Sequence, residues 1–452
     1  MAGPTLRHKR AHIPVYCTSV DRRTIVKSFK SFPLLGWIIL AIVLGILTGP
    51  VMPAWLGGAF MTYNSIFSGF LGFIVPLIIL GLVMPAIAEL GKGAGKWLGI
   101  TAMIAYGSTI LAGMLAYFVS RWLFTPSLAG AGLDVIGDDS ESGFSPYLTV
   151  VATAGDSATE IVLPPVIGVM SALVLAFILG ICLAALHSKV LFRAAVEFRT
   201  IIEIVIRRMI VPALPLFIFG IFMDLSASGS AVTVVTKFLL VALVSFGLTF
   251  VVLLAQYSVA GGMAGVNPLK ALWNMRDAYF TALGTSSSAA TIPVTLASTK
   301  KNGVSDSIAG FVVPLCATIH LSGSMVKITC FSFAVLLLTG GESSFGAYLP
   351  FILMLGVMMI AAPGVPGGAI AAAAGLLTQM LGFGEAEVGL MFAAYIALDS
   401  FGTATNVTGD GAIAMIMNKL TRGNLGAQAQ DPADAKVEVG EGRETPSHAP
   451  AR

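Results

Sequence analysis

The feature that most constrains this chain is a succession of long apolar runs. A transmembrane helix needs about 20 consecutive apolar residues to cross the roughly 30 Å hydrocarbon core of a bilayer. Eight runs approach or exceed that length, and the mean hydropathy of the chain is +0.89. Only 11% of the 452 residues are charged, whereas soluble proteins carry about 25%. The sequence therefore predicts an all-α polytopic membrane protein.

The charges that flank the eight runs predict the orientation of the protein in the membrane. The runs cover residues 34–50, 66–88, 98–122, 166–186, 209–225, 232–257, 308–338 and 388–419. Residues 1–32 hold seven Lys or Arg but a single Asp, and basic residues before a first span favour the cytoplasm. Residues 423–452 are rich in Ala, Gly, Pro and mixed charge, which predicts disorder. We expect a multi-pass protein of the cell (inner) membrane with both termini cytoplasmic.

No sequence motif indicates an enzyme, a metal centre or a nucleic-acid partner. The patterns of serine hydrolases, zinc peptidases and P-loop proteins do not occur. Four scattered cysteines form neither a metal-ligand spacing nor a disulfide framework. The net charge of +3 is typical of the basic cytoplasmic side of a membrane protein. An acid-rich stretch between residues 121 and 164 is interpreted as an extracellular loop, and a solvated face is favoured over a cation funnel.

Two apolar segments have polar or helix-breaking centres. Residues 267–298 surround the sequence GTSSSAAT at 284–291, and residues 351–377 surround APGVPGG at 362–368. Irregular backbone at membrane depth is tolerated only where it is buried in protein or lines a cavity. Each segment is therefore interpreted as a re-entrant hairpin of two half-helices, with a kinked spanning helix as the alternative. The tips of such hairpins offer N–H groups to anions and carbonyl groups to cations.

Ionisable side chains occur inside the last two predicted spans, where charge is costly and indicates function. They are His320, Lys327, Asp399 and Asp410. With Thr403 and Asn406, the two aspartates recur at a spacing of three to four residues, so one stripe of the last helix is polar. A carboxylate with amide and carbonyl oxygens suits a hard cation such as Na⁺. The alternative is a polar network that only holds the helices together.

Several motifs resemble those of the dicarboxylate/amino acid:cation symporters, and they occur along the chain in the order found in that family. NPLK at 267–270 and TSSSAATIPVT at 285–295 are similar to the first hairpin of that family, and GVPG at 364–367 is similar to its second hairpin tip. PLCATI at 314–319 resembles the entrance to its seventh helix, and TNVTGD at 405–410 resembles its last-helix signature. The resemblance extends over most of the chain from residue 34 to residue 422.

The resemblance implies the glutamate-transporter (elevator) fold, with eight transmembrane helices and two re-entrant hairpins in a homotrimer. Spans one, two, four and five would form a static scaffold, and the other spans with both hairpins would form a moving transport domain. The implied divisions are a basic segment at 1–32, scaffold at 33–90, a transport-domain helix at 91–122, loop and scaffold at 123–225, transport domain at 226–422 with hairpins at about 267–298 and 343–378, and a tail at 423–452.

The resemblance also implies ligands, and Asp399 would receive a substrate amino group. The predicted substrate-binding residues are Ser287, Ser288, Ser324, Lys327, Val365, Gly367, Asp399, Thr403 and Asn406. The predicted sodium ligands, some through backbone oxygens, are Asn406, Asp410, Cys316, His320, Thr318, Tyr106 and Thr109, with backbone oxygens near Ala362. No cofactor is implied, and Na⁺ or H⁺ is the expected coupling ion.

The seventh helix departs from the family pattern. Members usually read Asn-Met-Asp-Gly-Thr, whereas residues 320–324 read HLSGS. Loss of the aspartate should weaken one sodium site. His320 could instead carry a proton and act as a built-in cation, because imidazole titrates near neutral pH, although burial favours its neutral form. The hypothesis is that fewer sodium ions are coupled, or that protons replace one of them.

A second departure concerns selectivity. Members that transport acidic substrates place an arginine where this chain has Gly402. Lys327 could replace that guanidinium as a point charge, or it could pair with Asp399 or Asp410, or face a water-filled crevice. Retention of Asp399 weakly favours an amino acid over a C4-dicarboxylate.

These patterns together predict a secondary active symporter that takes up a small amino acid or dicarboxylate with Na⁺ or H⁺. The alternative is an ion channel or anion-conducting pore on the same fold. The expected partners are the small-molecule substrate, the lipid bilayer and further copies of the chain.

Overall fold

The structure, a computed structural model, describes residues 34–91, 96–128, 143–151, 159–186, 188–364 and 366–421. The basic segment at 1–32, the tail at 423–452 and the predicted substrate-binding residue Val365 lie outside the described residues, as does much of the acid-rich stretch. The described chain is mostly helical, as the apolar runs predict.

Sixteen α-helices lie within the described residues. They are α1 Leu34–Thr48, α2 Ala54–Gly91, α3 Lys96–Leu128, α4 Val169–Leu186, α5 Lys189–Val205, α6 Val211–Ala227, α7 Ala231–Ala264, α8 Pro268–Asn274, α9 Arg276–Thr285, α10 Ser288–Lys300, α11 Asp306–Ile319, α12 Ser322–Leu338, α13 Phe345–Ala361, α14 Gly368–Leu381, α15 Glu385–Ala397 and α16 Asp399–Leu420. A π-helical turn at Ile206–Ile210 joins α5 to α6. Two short strands, β1 (Thr149–Val151) and β2 (Glu160–Val162), pair in parallel within the segment predicted as an extracellular loop.

Seven helical stretches of the described chain are long and apolar enough to span a membrane. They are Leu34–Val51, Ala54–Glu89, Lys96–Leu128, Val169–Leu186, Lys189–Ala227, Ala231–Ala264 and Asp306–Leu338. An eighth span results if α15 and α16, which are bent by 62° relative to each other, are taken as one. The prediction of a helical, multi-pass membrane protein is thereby confirmed.

The helices pack in two groups. In the first group, α1 packs on α6, and α2 packs on α4, α5 and α6. In the second group, α12 is surrounded by α3, α7, α15 and α16, while α16 also packs on α9, α10 and α11. The groups meet where α2 contacts α13 and α14 and where α6 contacts α15. Helix α12, with its polar and charged side chains, is buried along nearly its whole length.

The first predicted hairpin segment forms two antiparallel helices, α9 and α10. At their far end, Lys301 Nζ lies 2.7 Å from Asp277 Oδ2. At the near end, Ser286 has a φ of 49°, in the left-handed region that serine seldom adopts. Ser287 follows as the N-cap of α10. The chain therefore reverses inside the hydroxyl-rich sequence, where the break was predicted.

The second predicted hairpin segment consists of α13 and α14. These helices hold 17 and 14 residues, so at about 1.5 Å per residue each is shorter than the roughly 30 Å bilayer core. Gly367, the N-cap of α14, has a φ of 74°, which glycine adopts without steric cost. A Cβ on Gly368 would lie 2.3 Å from the carbonyl oxygen of Pro363. Glycine is therefore required at two consecutive positions of this tip.

The spans predicted at 308–338 and 388–419 each consist of two helices separated by a short break. The first break falls at His320 and Leu321, between α11 and α12, and the second at Leu398, between α15 and α16. Helix ends leave backbone groups without intrahelical partners. At the first break, N–H groups at the start of α12 donate to Asn406. At the second break, the Leu398 carbonyl accepts the N–H groups of Phe401 and Gly402 and also the Lys327 ammonium group. These contacts compensate the two breaks.

Candidate functional site

The polar stripe predicted on the last span lies on α16. Asp399, Thr403, Asn406 and Asp410 occupy positions i, i+4, i+7 and i+11 of this helix. All four residues are buried, with exposed fractions of 6% or less. Because buried charge without a partner is costly, the contacts of the two carboxylates indicate what the site can bind.

The tips of the two hairpin segments meet beside the first turn of α16. Ser287 Oγ, in the first tip, donates to Gly364 O in the second tip at 3.3 Å. Gly367 N–H donates to Asp399 Oδ2 at 2.9 Å. Ser288, the first residue of α10, is buried. The N-termini of α10 and α14 therefore come together close to Asp399, and helix N-termini favour anions.

Lys327 lies at the same end of α16 and has three partners. Its Nζ lies 3.5 Å from Asp399 Oδ1 and donates to Leu398 O at 3.1 Å. The same nitrogen stands 4.0 Å from the centroid of the Tyr395 ring. Of the alternatives left open by the sequence, the structure places Lys327 with Asp399 and away from water, since the residue is only 1% exposed.

Asn406 joins α16 to the start of α12. Its Oδ1 accepts hydrogen bonds from Gly323 N–H at 2.8 Å and Ser324 N–H at 3.4 Å. Its Nδ2 donates to Ser324 Oγ at 3.2 Å, and the Tyr395 hydroxyl donates to the same oxygen at 2.9 Å. The amide oxygen predicted to bind Na⁺ is thus engaged by backbone N–H groups.

His320 lies against Asp410 in the buried core. His320 Nδ1 is 3.0 Å from Asp410 Oδ1, and neither side chain is more than 1% exposed. His320 Nε2 lies 3.1 Å from Ser108 Oγ and 3.3 Å from Gln256 Nε2. With the Gln256 amide in this orientation, Nε2 accepts and Nδ1–H donates to Asp410. Asp410 Oδ2 has no hydrogen-bond partner among the described residues, so one carboxylate oxygen is available to a cation or a proton.

The hydroxyl groups of the other predicted sodium ligands do not bind the His320–Asp410 pair and have backbone partners of their own. Cys316 is buried, and its carbonyl oxygen accepts the His320 N–H at 2.9 Å. The hydroxyl groups of Thr318, Tyr106 and Thr109 each donate to a backbone carbonyl group, at distances of 2.8 to 3.1 Å. These three hydroxyl groups and the Cys316 carbonyl group therefore already take part in hydrogen bonds in this conformation.

Several neutral polar side chains complete the site and were not predicted from the sequence. Gln256 donates to Ser108 at 2.9 Å, in addition to its contact with the histidine. Ser286 Oγ lies 2.6 Å from Ser400 Oγ, which ties the first tip to α16. Tyr395 contacts both the lysine and the asparagine network. Single amides and hydroxyls within apolar spans, such as Gln256 and Tyr395, were the signal that could have identified them.

Gly409→Ala is expected to destabilise the protein by overpacking this network. A Cβ at Gly409 would lie 2.7 Å from both His320 Cε1 and Gln256 Oε1, and overpacking a core costs about 1–3 kcal/mol. Thermal unfolding of the purified variant in detergent measures the effect as a lower unfolding temperature. Gly310→Ala is the matched control, because its Cβ would enter open space. Equal unfolding temperatures for the two variants would contradict the tight packing of the network.

Residues 34–420 match the family described as the sodium:dicarboxylate symporter family. The chain belongs to the sodium:dicarboxylate symporter family. The match covers every helix from α1 to α16 and thus the whole of the candidate site. The resemblance carried by the hairpin and last-helix motifs is confirmed, and so is the expectation of a transporter rather than an enzyme.

This member of the sodium:dicarboxylate symporter family is similar to two named kinds of transporter. It is 25% identical over 409 residues to the serine/threonine transporter SstT of Streptococcus thermophilus, a match that covers 88% of this chain and 98% of that protein. It is 30% identical over 176 residues to excitatory amino acid transporter 1 of Homo sapiens, covering 39% of this chain and 32% of that protein. An excitatory amino acid transporter of Caenorhabditis elegans is 28% identical over 280 residues, covering 57% of this chain and 52% of that protein.

Proposed function

We propose that this protein is a secondary active symporter that couples inward movement of Na⁺ or H⁺ to uptake of an amino acid or a dicarboxylate. The observation that carries the proposal is the meeting of both tips beside Asp399, where Gly367 N–H donates to the carboxylate at 2.9 Å. Half-helices that begin at one buried point present N–H groups and positive dipole ends to an anionic substrate. Tips that close over a buried site suit a carrier that opens to one side of the membrane at a time.

The substrate is proposed to bind between the two tips, α12 and α16. The Ser287 and Ser288 hydroxyls and the Gly367 N–H are the proposed donors to a substrate carboxylate, and Val365 is a proposed gate residue. The proposed residues on the facing helices are Ser324, Lys327, Asp399, Thr403 and Asn406. Opening of the second tip would expose these buried groups, because Gly367 and Gly364 are the tip's contacts with α16 and the first tip.

The coupling ion is proposed to bind at Asp410. Its Oδ2 is buried without a hydrogen-bond partner among the described residues, which suits either Na⁺ or a proton. Sodium prefers several oxygen ligands, and carbonyl groups near Cys316 and Ala362, at the ends of α11 and α13, are the proposed additional ones. With His320 on one side of the carboxylate, room for Na⁺ is restricted. This restriction keeps the proton as an alternative coupling ion.

An elevator mechanism is proposed from the packing of the helices, and a homotrimer is proposed from the family resemblance alone. Helices α1, α2 and α4–α6 pack on one another and would form the scaffold. Helices α3 and α7–α16 hold every proposed ligand and would move as the transport domain. Contacts of α13–α15 with α1, α2, α4 and α6, and of α7 with α6, join the two groups and would form the sliding interface.

Substrate-evoked currents from proteoliposomes on a solid-supported membrane test the proposed symport. Serine, alanine, aspartate, succinate and propanoate are applied with an inward Na⁺ gradient, with an inward H⁺ gradient, and with neither. We expect at least one solute to evoke a transient current that requires one of the two gradients. A sustained current without any solute would instead establish the ion channel that shares this fold.

A further inference from the structure

We propose that Lys327 is a tethered ammonium group that occupies the place of a substrate's amino group, so that the transported solute is a carboxylate without an α-ammonium group. The inference rests on the proposed function, because it names the substrate class of the same site. The sequence alone favoured an amino acid because Asp399 is retained. The pairing of Asp399 with Lys327 reverses that preference.

The surroundings of Lys327 Nζ are those that a bound α-ammonium group would need. An ammonium group has three N–H donors and no acceptor. Lys327 directs them at a carboxylate oxygen of Asp399 at 3.5 Å, the Leu398 carbonyl at 3.1 Å and the face of Tyr395 at 4.0 Å. Each partner is negative or partly negative, and the residue is almost fully buried. The amine position is therefore filled by the protein's own side chain.

Both carboxylate oxygens of Asp399 already have a partner, and one of these partners is the Lys327 ammonium group. Its Oδ1 faces Lys327, and its Oδ2 accepts the Gly367 N–H at 2.9 Å. A substrate ammonium brought to this carboxylate would lie within a few ångströms of the lysine charge, and like charges repel strongly in a buried site. An amino acid would have to displace Lys327 into a core that offers it no water.

Gly402 provides the space that Lys327 fills. A Cβ on Gly402 would lie 2.3 Å from both Cε and Nζ of Lys327. Even an alanine at this position would therefore push the ammonium group out of its place. Gly402 and Lys327 act as a matched pair, which offers a second way to perturb the ammonium group without removing its charge.

The recognition elements that remain are suited to a carboxylate. The Lys327–Asp399 pair is neutral as a unit, so it neither attracts nor repels a simple anion strongly. The N-termini of α10 and α14 supply N–H groups, and helix N-termini stabilise anions. The substrate class is therefore an aliphatic mono- or dicarboxylate, represented by propanoate and succinate.

Two pairs of acids that differ only in the α-amino group test the inference: succinate against aspartate, and propanoate against alanine. Binding is measured as a ligand-dependent rise in the unfolding temperature of purified protein, and transport as solute-evoked current in proteoliposomes. For at least one pair, we expect wild-type protein to bind the acid without the amino group about tenfold or more tightly. In Lys327→Met, that preference should vanish or reverse, because the carboxylate of Asp399 becomes available to a substrate ammonium.

Two further variants distinguish a specific effect on the site from a folding defect. Gly402→Ala keeps the lysine charge and should shift the preference in the same direction as Lys327→Met. Lys301→Met is the control, because this exposed lysine pairs with Asp277 at the far end of the first hairpin. The substrate preference of this variant should equal that of the wild type. If Lys327→Met does not fold, the substrate preference measured for Gly402→Ala decides whether the inference holds.

The outcomes separate this inference from the proposed symport. A wild-type preference for aspartate or alanine overturns the proposed role of Lys327 as a tethered ammonium group, but it does not affect the proposed symport. An unchanged preference in the folded Lys327→Met or Gly402→Ala variant also overturns it. Binding of succinate or propanoate, with neither gradient-dependent current nor gradient-dependent uptake of the radiolabelled acid, supports the tethered ammonium and defeats the symport. Binding of none of the four acids overturns the inference as well.

Discussion

Replacement of Asp410 by alanine should lower ion-driven uptake at least about a hundredfold, because a buried coupling ion would lose its compensating carboxylate, and an uncompensated buried ion carries a desolvation penalty of several kcal/mol. Asp410 is 1% exposed, and its two oxygens have different surroundings. Asp410 Oδ1 lies 3.0 Å from His320 Nδ1, and Oδ2 has no hydrogen-bond partner among the described residues. The variant would lose both the proposed ion ligand and the partner of the imidazole. Uptake of radiolabelled solute by proteoliposomes under a Na⁺ or H⁺ gradient measures the loss.

Asp277→Ala is the control for this variant. It removes the same carboxylate from an exposed position, where exposed ion pairs contribute about 0–1 kcal/mol. A hydrogen bond from Lys301 lowers the pKa of the Asp277 carboxyl group, so that this group is ionised at neutral pH and its substitution removes a negative charge. Wild-type uptake by Asp410→Ala, with a gel-filtration profile equal to that of Asp277→Ala, would contradict a role of Asp410 in coupling.

Gly368→Ala should reduce uptake about tenfold or more through distortion of the second tip. The new Cβ would lie 2.3 Å from the Pro363 carbonyl oxygen. Because that atom belongs to the backbone of the same tip, the tip itself must move, and a displacement of about 1 Å can cost a hundredfold in a positioned site. The displacement would alter the hydrogen bond from Gly367 N–H to Asp399, which joins the tip to α16. Initial uptake rates and solute affinity, measured together, report the change.

Gly364→Ala is the matched control within the same tip. Its Cβ would meet open space, and the Gly364 carbonyl group, which accepts from Ser287, is unchanged. We expect an uptake rate within about twofold of the wild type, since substitutions without contacts usually cost less than about 0.5 kcal/mol. Equal loss in both variants would indicate general sensitivity of the loop and would contradict the specific close approach at Gly368.

The elements and the polar stripe could be predicted from the sequence because they depend on local patterns. Runs of about 20 apolar residues predict spans, and helical periodicity places Asp399 and Asp410 on one stripe. Serines and glycines at 284–291 and 362–368 predict the two breaks that became the tips. These inferences require only neighbours in the chain.

The pairings could not be predicted, because each joins distant helices. His320 and Asp410 are 90 residues apart, and the sequence left three environments open for Lys327. The breaks at His320–Leu321 and at Leu398 contain neither glycine nor proline, so local sequence gave no sign of them. Both are compensated by side chains from other helices, which only the folded arrangement brings close. The difference between this site and the family pattern lies in those pairings.

Accumulation of solute against its gradient tests the central claim most directly. Proteoliposomes containing the protein receive radiolabelled succinate, propanoate, alanine, aspartate or serine, and an inward Na⁺ or H⁺ gradient is imposed. A secondary active symporter predicts an internal concentration of at least one solute above the external one, which collapses when an ionophore dissipates the gradient. Equal internal and external concentrations of every solute, or accumulation that persists after the ionophore is added, would contradict ion-coupled transport by this protein.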